Sequence, residues 1–143
     1  MKEAALRVLV VDDDKAMRSS LMDLLKAAGH EVEALPRADQ VVAKLPEMLP
    51  DVILSDVRMP GMSGLDLLAV LPPDSPPLVL ISAHGDIATA VQAMQDGAYS
   101  FVEKPYEPRR LLTILSHAGG KHRLHQRTER LKARLRDLSG LDK

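Results

Sequence analysis

The stretch Asp51-Val52-Ile53-Leu54-Ser55-Asp56-Val57-Arg58-Met59-Pro60-Gly61 decides the fold. Its apolar run, Val52 to Leu54, is too short for a helix and is typical of a strand that is buried on both faces. The run ends at Asp56, and Pro60-Gly61 then predicts a turn. Open α/β sheets place their ligands at the carboxyl ends of their strands, so Asp56 is the first candidate for a functional residue.

A second group of acids follows another apolar run. Residues 6–11 lead directly into Asp12-Asp13-Asp14. If the two strands are neighbours in a parallel sheet, their ends bring several carboxylates into one pocket. That is unfavourable unless a cation neutralises the charges or one proton is retained. Oxygen ligands of this kind suit a hard ion such as Mg²⁺ or Mn²⁺.

Composition narrows the class of protein. A chain of 143 residues is expected to form one domain with a full core. No apolar run approaches the roughly 20 residues of a membrane span, and the first residues lack a signal-peptide profile, so we expect a cytoplasmic protein with no membrane partner. The absence of cysteine excludes disulfides and zinc–thiolate sites. A net charge of −1 gives no overall indication of nucleic-acid binding.

The rest of the chain alternates between strand and helix patterns. Gly29 supplies the stop of the first predicted helix, and Pro108 fits the first turn of the last. Strands that alternate with helices of this length require right-handed crossovers and a parallel sheet. The pattern therefore predicts an α/β protein with three α/β/α layers. The predicted strands cover residues 7–11, 30–35, 51–55, 78–82 and 99–103.

The C-terminal tail has a different pattern. It is nearly all helix-forming and rich in basic residues, and we expect Gly119-Gly120 to interrupt it. A leucine recurs every seven residues, as in a coiled coil, but Lys121 and Thr128 occupy the alternate positions and weaken the heptad. The basic residues of the tail are equally compatible with a solvated helix face and with a partner-binding surface. The leucines concerned are Leu124, Leu131 and Leu138, with Leu135 between the last two.

Polar residues end the other strands as well. Ser82 follows the fourth apolar run and offers a hydroxyl, and Lys104 follows the fifth and offers a positive charge. A carboxylate such as Asp56 can act as a nucleophile toward phosphorus and form an aspartyl phosphate. Such a transfer needs little beyond positioning and neutralisation of the phosphoryl oxygens, which Mg²⁺, Lys104 and Ser82 can share.

Four motifs resemble the receiver domain of two-component response regulators, over roughly residues 5 to 118. This resemblance implies a flavodoxin-like (CheY-like), doubly wound, five-stranded parallel sheet of order 2-1-3-4-5. A further run, from His84-Gly85-Asp86-Ile87 to Asp96-Gly97-Ala98-Tyr99, is similar to the NtrC-type (sigma-54-dependent) regulators of four-carbon dicarboxylate transport. The four motifs are Val10-Val11-Asp12-Asp13-Asp14, the stretch from Ser55 to Gly64, Ile81-Ser82-Ala83 and Phe101-Val102-Glu103-Lys104-Pro105.

The resemblance implies a role for each of these positions. Asp56 would be the phosphoryl acceptor, with Lys104 beside it and Ser82 as the switch hydroxyl. Phe101 matches the family's rotating aromatic residue, and the Lys104-Pro105 bond is cis in the family. Mg²⁺, for which Mn²⁺ can substitute, would be held by Asp12, Asp13, Asp56 and the backbone carbonyl of Arg58.

The resemblance also implies an organisation and partners. Residues 1–118 would be the receiver domain, and residues 119–143 a helical linker or coiled-coil tail toward an absent output domain. The phosphoryl group would come from a sensor histidine kinase, and the output would be transcriptional regulation, with DNA contacted only through the absent domain. We expect autocatalysed phosphorylation and dephosphorylation rather than turnover. We also expect a homodimer through the fourth-helix, fifth-strand and fifth-helix face together with the tail.

Two alternatives use the same residues differently. A haloacid-dehalogenase-like phosphatase has two aspartates spaced as Asp12 and Asp14 are, although the Asp56 motif and the lack of a cap domain argue against it. A flavodoxin-like cofactor binder would repel its phosphate at these acidic strand ends without a metal. Asp14 is also a natural helix N-cap, which leaves it as a capping residue rather than a ligand.

Overall fold

The elements alternate along the chain as the sequence pattern predicts. The computed structural model describes residues 5–83 and 86–139, so His84 and Gly85 of the predicted motif and the last four residues of the tail lie outside the described residues. The elements are β1 (Arg7–Val11), α1 (Lys15–Ala27), β2 (Glu31–Leu35), a 3-10 turn (Ala38–Gln40), α2 (Val41–Met48), β3 (Val52–Asp56), α3 (Gly64–Val70), β4 (Leu78–Ser82), α4 (Ile87–Gln95), β5 (Ser100–Glu103) and α5 (Pro108–Ser139).

The five strands form one parallel sheet in the order β2-β1-β3-β4-β5, which confirms the predicted topology. The central pairing sets Val11 of β1 opposite Ser55 of β3. One residue further along each strand, Asp12 and Asp56 therefore emerge side by side at the carboxyl edge of the sheet.

Two apolar cores cover the two faces of the sheet, because successive side chains of a strand point to opposite faces. Val8 and Val10 of β1 belong to the core shared with α1 and α5. Leu9 and Val11 belong to the core shared with α2, α3 and α4. This division produces the predicted α/β/α layers, with both faces of the central strands fully covered.

The helix next to the acidic corner begins with a side-chain cap. The Asp14 carboxylate accepts hydrogen bonds from the backbone N–H groups of Ala16 and Met17, so it satisfies donors that the first turn of α1 leaves free. Asp14 is thus the N-cap residue. The helix ends before Gly29, whose φ of 95° favours glycine.

Helix α5 corrects one expectation. It runs without a break through Gly119-Gly120, where we expected an interruption. Gly119 allows the helix to approach the start of β1 closely, because a Cβ atom there would lie 2.6 Å from Leu6 Cδ1. Since tertiary contacts override the weak helix propensity of glycine, the helix continues past the sheet. Among the described residues, no helix is long and apolar enough to span a membrane.

Candidate functional site

Three carboxylates meet at the carboxyl edge of the sheet. Each of Asp12, Asp13 and Asp56 places an oxygen within 4.8 Å of the others, and this is the metal-competent group found among the described residues. Asp12 is buried, Asp13 is exposed, and the Asp56 side chain is 14% exposed. The strand register accounts for the convergence of two of them, and Asp13 follows directly in the chain.

Backbone contacts hold the acidic corner in place. The Asp12 carboxylate accepts a hydrogen bond of 2.9 Å from the backbone N–H of Asp14. The Arg18 side chain donates to the backbone carbonyl of Asp12 at 2.8 Å. The first turn of α1 therefore keeps the Asp12 carboxylate pointed along the edge of the sheet.

The charges at this edge are incompletely balanced. Burial raises the pKa of Asp56, and the nearby Lys104 charge opposes part of that rise. Burial also raises the pKa of Asp12, with the Asp56 charge adding to the effect. Lys104 Nζ lies 3.9 Å from Asp56 Oδ1, so one ammonium group faces three carboxylates. A hard divalent cation matches this donor set, because it would remove the excess of negative charge and accept oxygen ligands only.

Ser82 reaches a partner that the sequence did not identify. It is buried at the end of β4, and its Oγ donates to Asp86 Oδ2 at 3.2 Å. The same oxygen accepts from Arg58 Nη2 at 3.1 Å, and a hydrogen bond from Thr89, the largest cause, lowers the pKa of Asp86. Asp86 stands four residues after Ser82 within a quoted motif, so its spacing was the available signal. Its contact with Arg58 depends on the fold.

The remaining predicted residues lie around the same edge. Phe101 is partly buried and lines a cavity of about 510 Å³ between α4, β5 and the start of α5. The Lys104-Pro105 peptide bond is cis. The Arg58 side chain is exposed, and the backbone carbonyl of Arg58 as a metal ligand stays a prediction.

Comparison with known proteins agrees with this geometry. Residues 8–116 match the family described as "Response regulator receiver domain". The C4-dicarboxylate transport transcriptional regulatory protein DctD of Rhizobium meliloti is 41% identical over 124 residues, which are 85% of this chain and 27% of that protein. The transcriptional regulatory protein FixJ of Bradyrhizobium diazoefficiens is 42% identical over 113 residues, which are 78% of this chain and 55% of that protein.

Solved structures agree as well. NtrX from Brucella abortus superposes with a TM-score of 0.78 at 34% identity, covering 90% of this chain and 30% of that one. The structure titled FixJ-N superposes with a TM-score of 0.72 at 32% identity, covering 82% and 95%.

These similarities distinguish the receiver domain from the alternative functions that the sequence left open. The chain spans less than a third of the DctD protein, so the similarity concerns one domain of a longer relative. The predicted resemblance, including the narrower one to regulators of dicarboxylate transport, is confirmed, whereas the phosphatase spacing is explained by Asp14 as a helix cap. By its matched residues, its strand order and its acidic edge, the chain belongs to the receiver domain family of two-component response regulators.

Proposed function

We propose that this receiver domain accepts a phosphoryl group on Asp56 from a sensor histidine kinase. The observation that carries the proposal is the position of Asp56: its carboxylate ends β3, is 14% exposed, and lies among two further carboxylates and Lys104. An Asp56 oxygen would attack phosphorus as the bond to the donor's histidine nitrogen breaks, so an acyl phosphate forms and the imidazole leaves.

Other side chains would position and stabilise the transferred group. Lys104, 3.9 Å from Asp56, would contact a phosphoryl oxygen. Asp12, Asp13, Asp56 and the backbone carbonyl of Arg58 would hold Mg²⁺ or Mn²⁺. When bound, the ion neutralises charge on the carboxylates and on the phosphoryl oxygens. The same site would autocatalyse phosphorylation from small acyl phosphates and the later hydrolysis, without turnover of an external substrate.

The response would pass through Ser82. In this structure its hydroxyl is bonded to Asp86, so a hydrogen bond to a phosphoryl group on Asp56 requires that contact to break. Phe101, which lines the adjacent cavity, would then turn inward. Phosphorylation would bias an existing equilibrium by the difference in contacts between the two states.

The output of this change would be a homodimer and, through it, transcriptional regulation in the cytoplasm. Helix α4 leaves Ile87, Val91 and Met94 exposed at the spacing of one helix face, beside β5 and α5. We propose that this face and the α5 tail hold the dimer jointly, because an isolated helix with under three heptads is marginal in water. DNA would be contacted through a further domain of the parent protein, as in the transcriptional regulators that the chain resembles.

Intact-mass spectrometry after incubation with acetyl phosphate and Mg²⁺ tests the acceptor. The wild-type chain should gain the mass of one phosphoryl group, and Asp56→Asn should gain none, because its amide is not a nucleophile. Asp51→Asn, at the other end of the same strand, is the matched control and should still be phosphorylated. Equal labelling of Asp56→Asn would refute the assignment, and sustained turnover of a phosphate monoester would favour the phosphatase alternative.

A further inference from the structure

A cavity of about 720 Å³ lies at the amino edge of the sheet, at the other end of the strands from the acidic corner. The end of α2, the loop between α3 and β4 and one face of α5 line it, together with Arg7 and Asp51. Its volume falls within the range of small-molecule sites, roughly 300–1,000 Å³. Asp56 stands at the far end of β3, roughly 15 Å away, so the cavity is separate from the proposed phosphorylation site. We refer to it as the amino-edge cavity.

Rigid apolar residues form one side of the amino-edge cavity. Proline fixes its own φ, and the backbone N–H and the Oγ of Ser75 both donate to the Pro72 carbonyl, so the loop between α3 and β4 is held in a turn. Leu49 adopts a left-handed φ of 52°, and its side chain is 66% exposed although leucine is usually buried. This side is formed before a ligand arrives, which lowers the cost of binding. The prolines concerned are Pro46, Pro50, Pro72, Pro73 and Pro76.

One face of α5 forms the opposite, polar side. Arg123 uses Nε and Nη2 to bind Asp51 and the carbonyl of Ala5. Arg130 is exposed, and no hydrogen bond or ion pair joins it to another residue in the described part of the chain. Burial lowers the pKa of His122, so its imidazole is neutral near pH 7 and adds a polar group without a charge. Arg130 is therefore the cation of this side that is available to a ligand.

The acids of the amino-edge cavity do not balance its cations. Three arginines and two aspartates line it. The Asp51 carboxylate accepts from Nε and Nη2 of Arg123 and from the backbone N–H of Arg7, so its oxygens are already occupied. The Asp74 side chain is 80% exposed and lies 3.9 Å from His125 Nε2, so it is solvated and has a partner. The remaining charge is positive, and the planar fork of a guanidinium matches a carboxylate.

We infer that the amino-edge cavity binds a small organic carboxylate, with its apolar body against the proline side and its carboxylate on Arg130. An organic cation would face the arginines, and inorganic phosphate would leave the apolar side uncovered. The inference does not depend on phosphorylation of Asp56. Leu124 and Leu131 are exposed and do not line the cavity, so a bound ligand would leave that part of the α5 tail free for the proposed homodimer.

Nuclear magnetic resonance of the full chain, labelled with nitrogen-15, tests the inference with naphthoate as the probe. We expect a Kd on the order of 1 mM or tighter. The amides of Leu49, Ser75 and Gln126 should shift most, and those of Asp12 and Asp56 should not shift. Naphthylmethanol has the same rings without the charge and should bind about fivefold more weakly. No saturation below about 10 mM, equal affinity for the two compounds, or shifts centred elsewhere would overturn the inference.

Two arginine substitutions locate the carboxylate. Arg130→Gln removes the available cation of the cavity, and we expect it to weaken naphthoate binding by roughly 2- to 5-fold. Arg127→Gln makes the same change in net charge on the same helix, but Arg127 is exposed and does not line the cavity. R127Q should bind naphthoate as the wild type does. Equal losses in both variants would indicate a diffuse attraction to anions and overturn the inference.

Filling the amino-edge cavity tests its apolar body site. Gln126 is half-buried and lines the cavity, so Gln126→Trp should occupy the space and abolish naphthoate binding, whereas Gln126→Ala should retain it. Circular dichroism checks the fold, and if Q126W unfolds, the arginine pair decides. Unchanged binding by folded Q126W, or tighter binding of an extended peptide of alternating glutamate and leucine than of naphthoate, would overturn the inference. Labelling of Asp56 by acetyl phosphate is measured in parallel, so failure here is distinguishable from failure of the proposed phosphorylation.

Discussion

Strand β3 has an aspartate at each end, and the two lie in opposite environments. Asp51, just before the strand, accepts from Nε and Nη2 of Arg123 and from the backbone N–H of Arg7. Asp56, at the end of the strand, shares its surroundings with two other carboxylates and with one ammonium group 3.9 Å away. Both side chains are mostly buried, with exposures of 12% and 14%.

The difference shows that the partners of a buried carboxylate, rather than the carboxylate itself, decide its role. Asp51 is surrounded by donors, so it ties β1 and α5 to the amino edge of the sheet and has little left to offer a ligand. Burial raises the pKa of Asp56, and Lys104 and the backbone N–H groups of Val57 and Arg58 oppose only part of that rise, so we expect its oxygens to remain available to a cation and to phosphorus. We therefore expect the Asp51 end of the strand to contribute to stability and the Asp56 end to carry the proposed chemistry.

The largest predicted effect is the loss of Mg²⁺ affinity when the Asp13 carboxylate, beside Asp56, is removed. In Asp13→Ala the metal loses one of few protein ligands, and we expect the affinity for Mg²⁺ to fall by about tenfold or more. A calorimetric Mg²⁺ titration of wild type and variant measures this. Asp14→Asn, which retains a helix-capping side chain, serves as the control. An unchanged affinity in D13A would leave Asp12 as the better candidate for the essential ligand.

The comparison predicts that replacing an aspartate by asparagine changes the free energy of unfolding in opposite directions at the two ends of β3. In the absence of metal, Asp51→Asn should lower the free energy of unfolding by about 1–2 kcal/mol, because it weakens charged hydrogen bonds to a partly exposed arginine. Asp56→Asn should raise the same free energy by about 1 kcal/mol, because it removes one of three crowded charges. Urea unfolding in the presence of a chelator measures both variants.

Repeating these unfolding measurements with added Mg²⁺ gives a second test of the difference between the two variants. Bound metal stabilises only the folded chain that binds it, so added Mg²⁺ should reduce the advantage of D56N over wild type and leave the cost of D51N unchanged. Destabilisation of the chain by both substitutions in the absence of metal would show that the two ends of β3 do not differ as proposed.

The pH dependence should distinguish wild type from D56N. The folded-state pKa of Asp56 lies above its ordinary value of 3.8, so the folded chain binds more protons than the unfolded chain between the two values. Stability contributed by this group is therefore greatest at low pH and is lost as the pH rises through that window. In metal-free buffer, the advantage of D56N should be absent below about pH 3.8 and should grow above it. Urea midpoints measured from acid to neutral pH test this, and an advantage independent of pH would contradict it.

The smallest predicted effect concerns Gly119 and Gly120 of α5, near the Asp51 end of β3. Gly120 has open space around its Cα, so Gly120→Ala should stabilise the chain by about 0.5–1 kcal/mol through helix propensity. Gly119→Ala gains the same propensity but drives a Cβ to 2.6 Å from the buried Leu6, so its net effect should be smaller or reversed. Thermal unfolding of the two variants measures the difference. An equal gain in both would show that α5 is not tightly held against β1.

Local patterns were sufficient for most of the fold and for the positions of the site residues. Short apolar runs, turn signals and acidic strand ends are properties of neighbouring residues, and the residues they marked, Asp12, Asp13, Asp56, Ser82 and Lys104, lie at one edge of the sheet. The strand order came from the resemblance, because periodicity shows that a strand exists and not which strand lies beside it.

Only the tertiary structure decided the contacts that join distant parts of the chain. The pairing of Asp51 with Arg123 spans 72 residues, and that of Arg58 with Asp86 spans 28. Glycine propensity alone predicted a break in α5, yet packing against Leu6 keeps the helix continuous. A sequence specifies local conformational preferences directly. Whether a carboxylate is paired with a cation or crowded by other carboxylates depends on which distant groups the fold brings to it, and that is why Asp51 is bound by Arg123 whereas Asp56 lies beside Asp12 and Asp13.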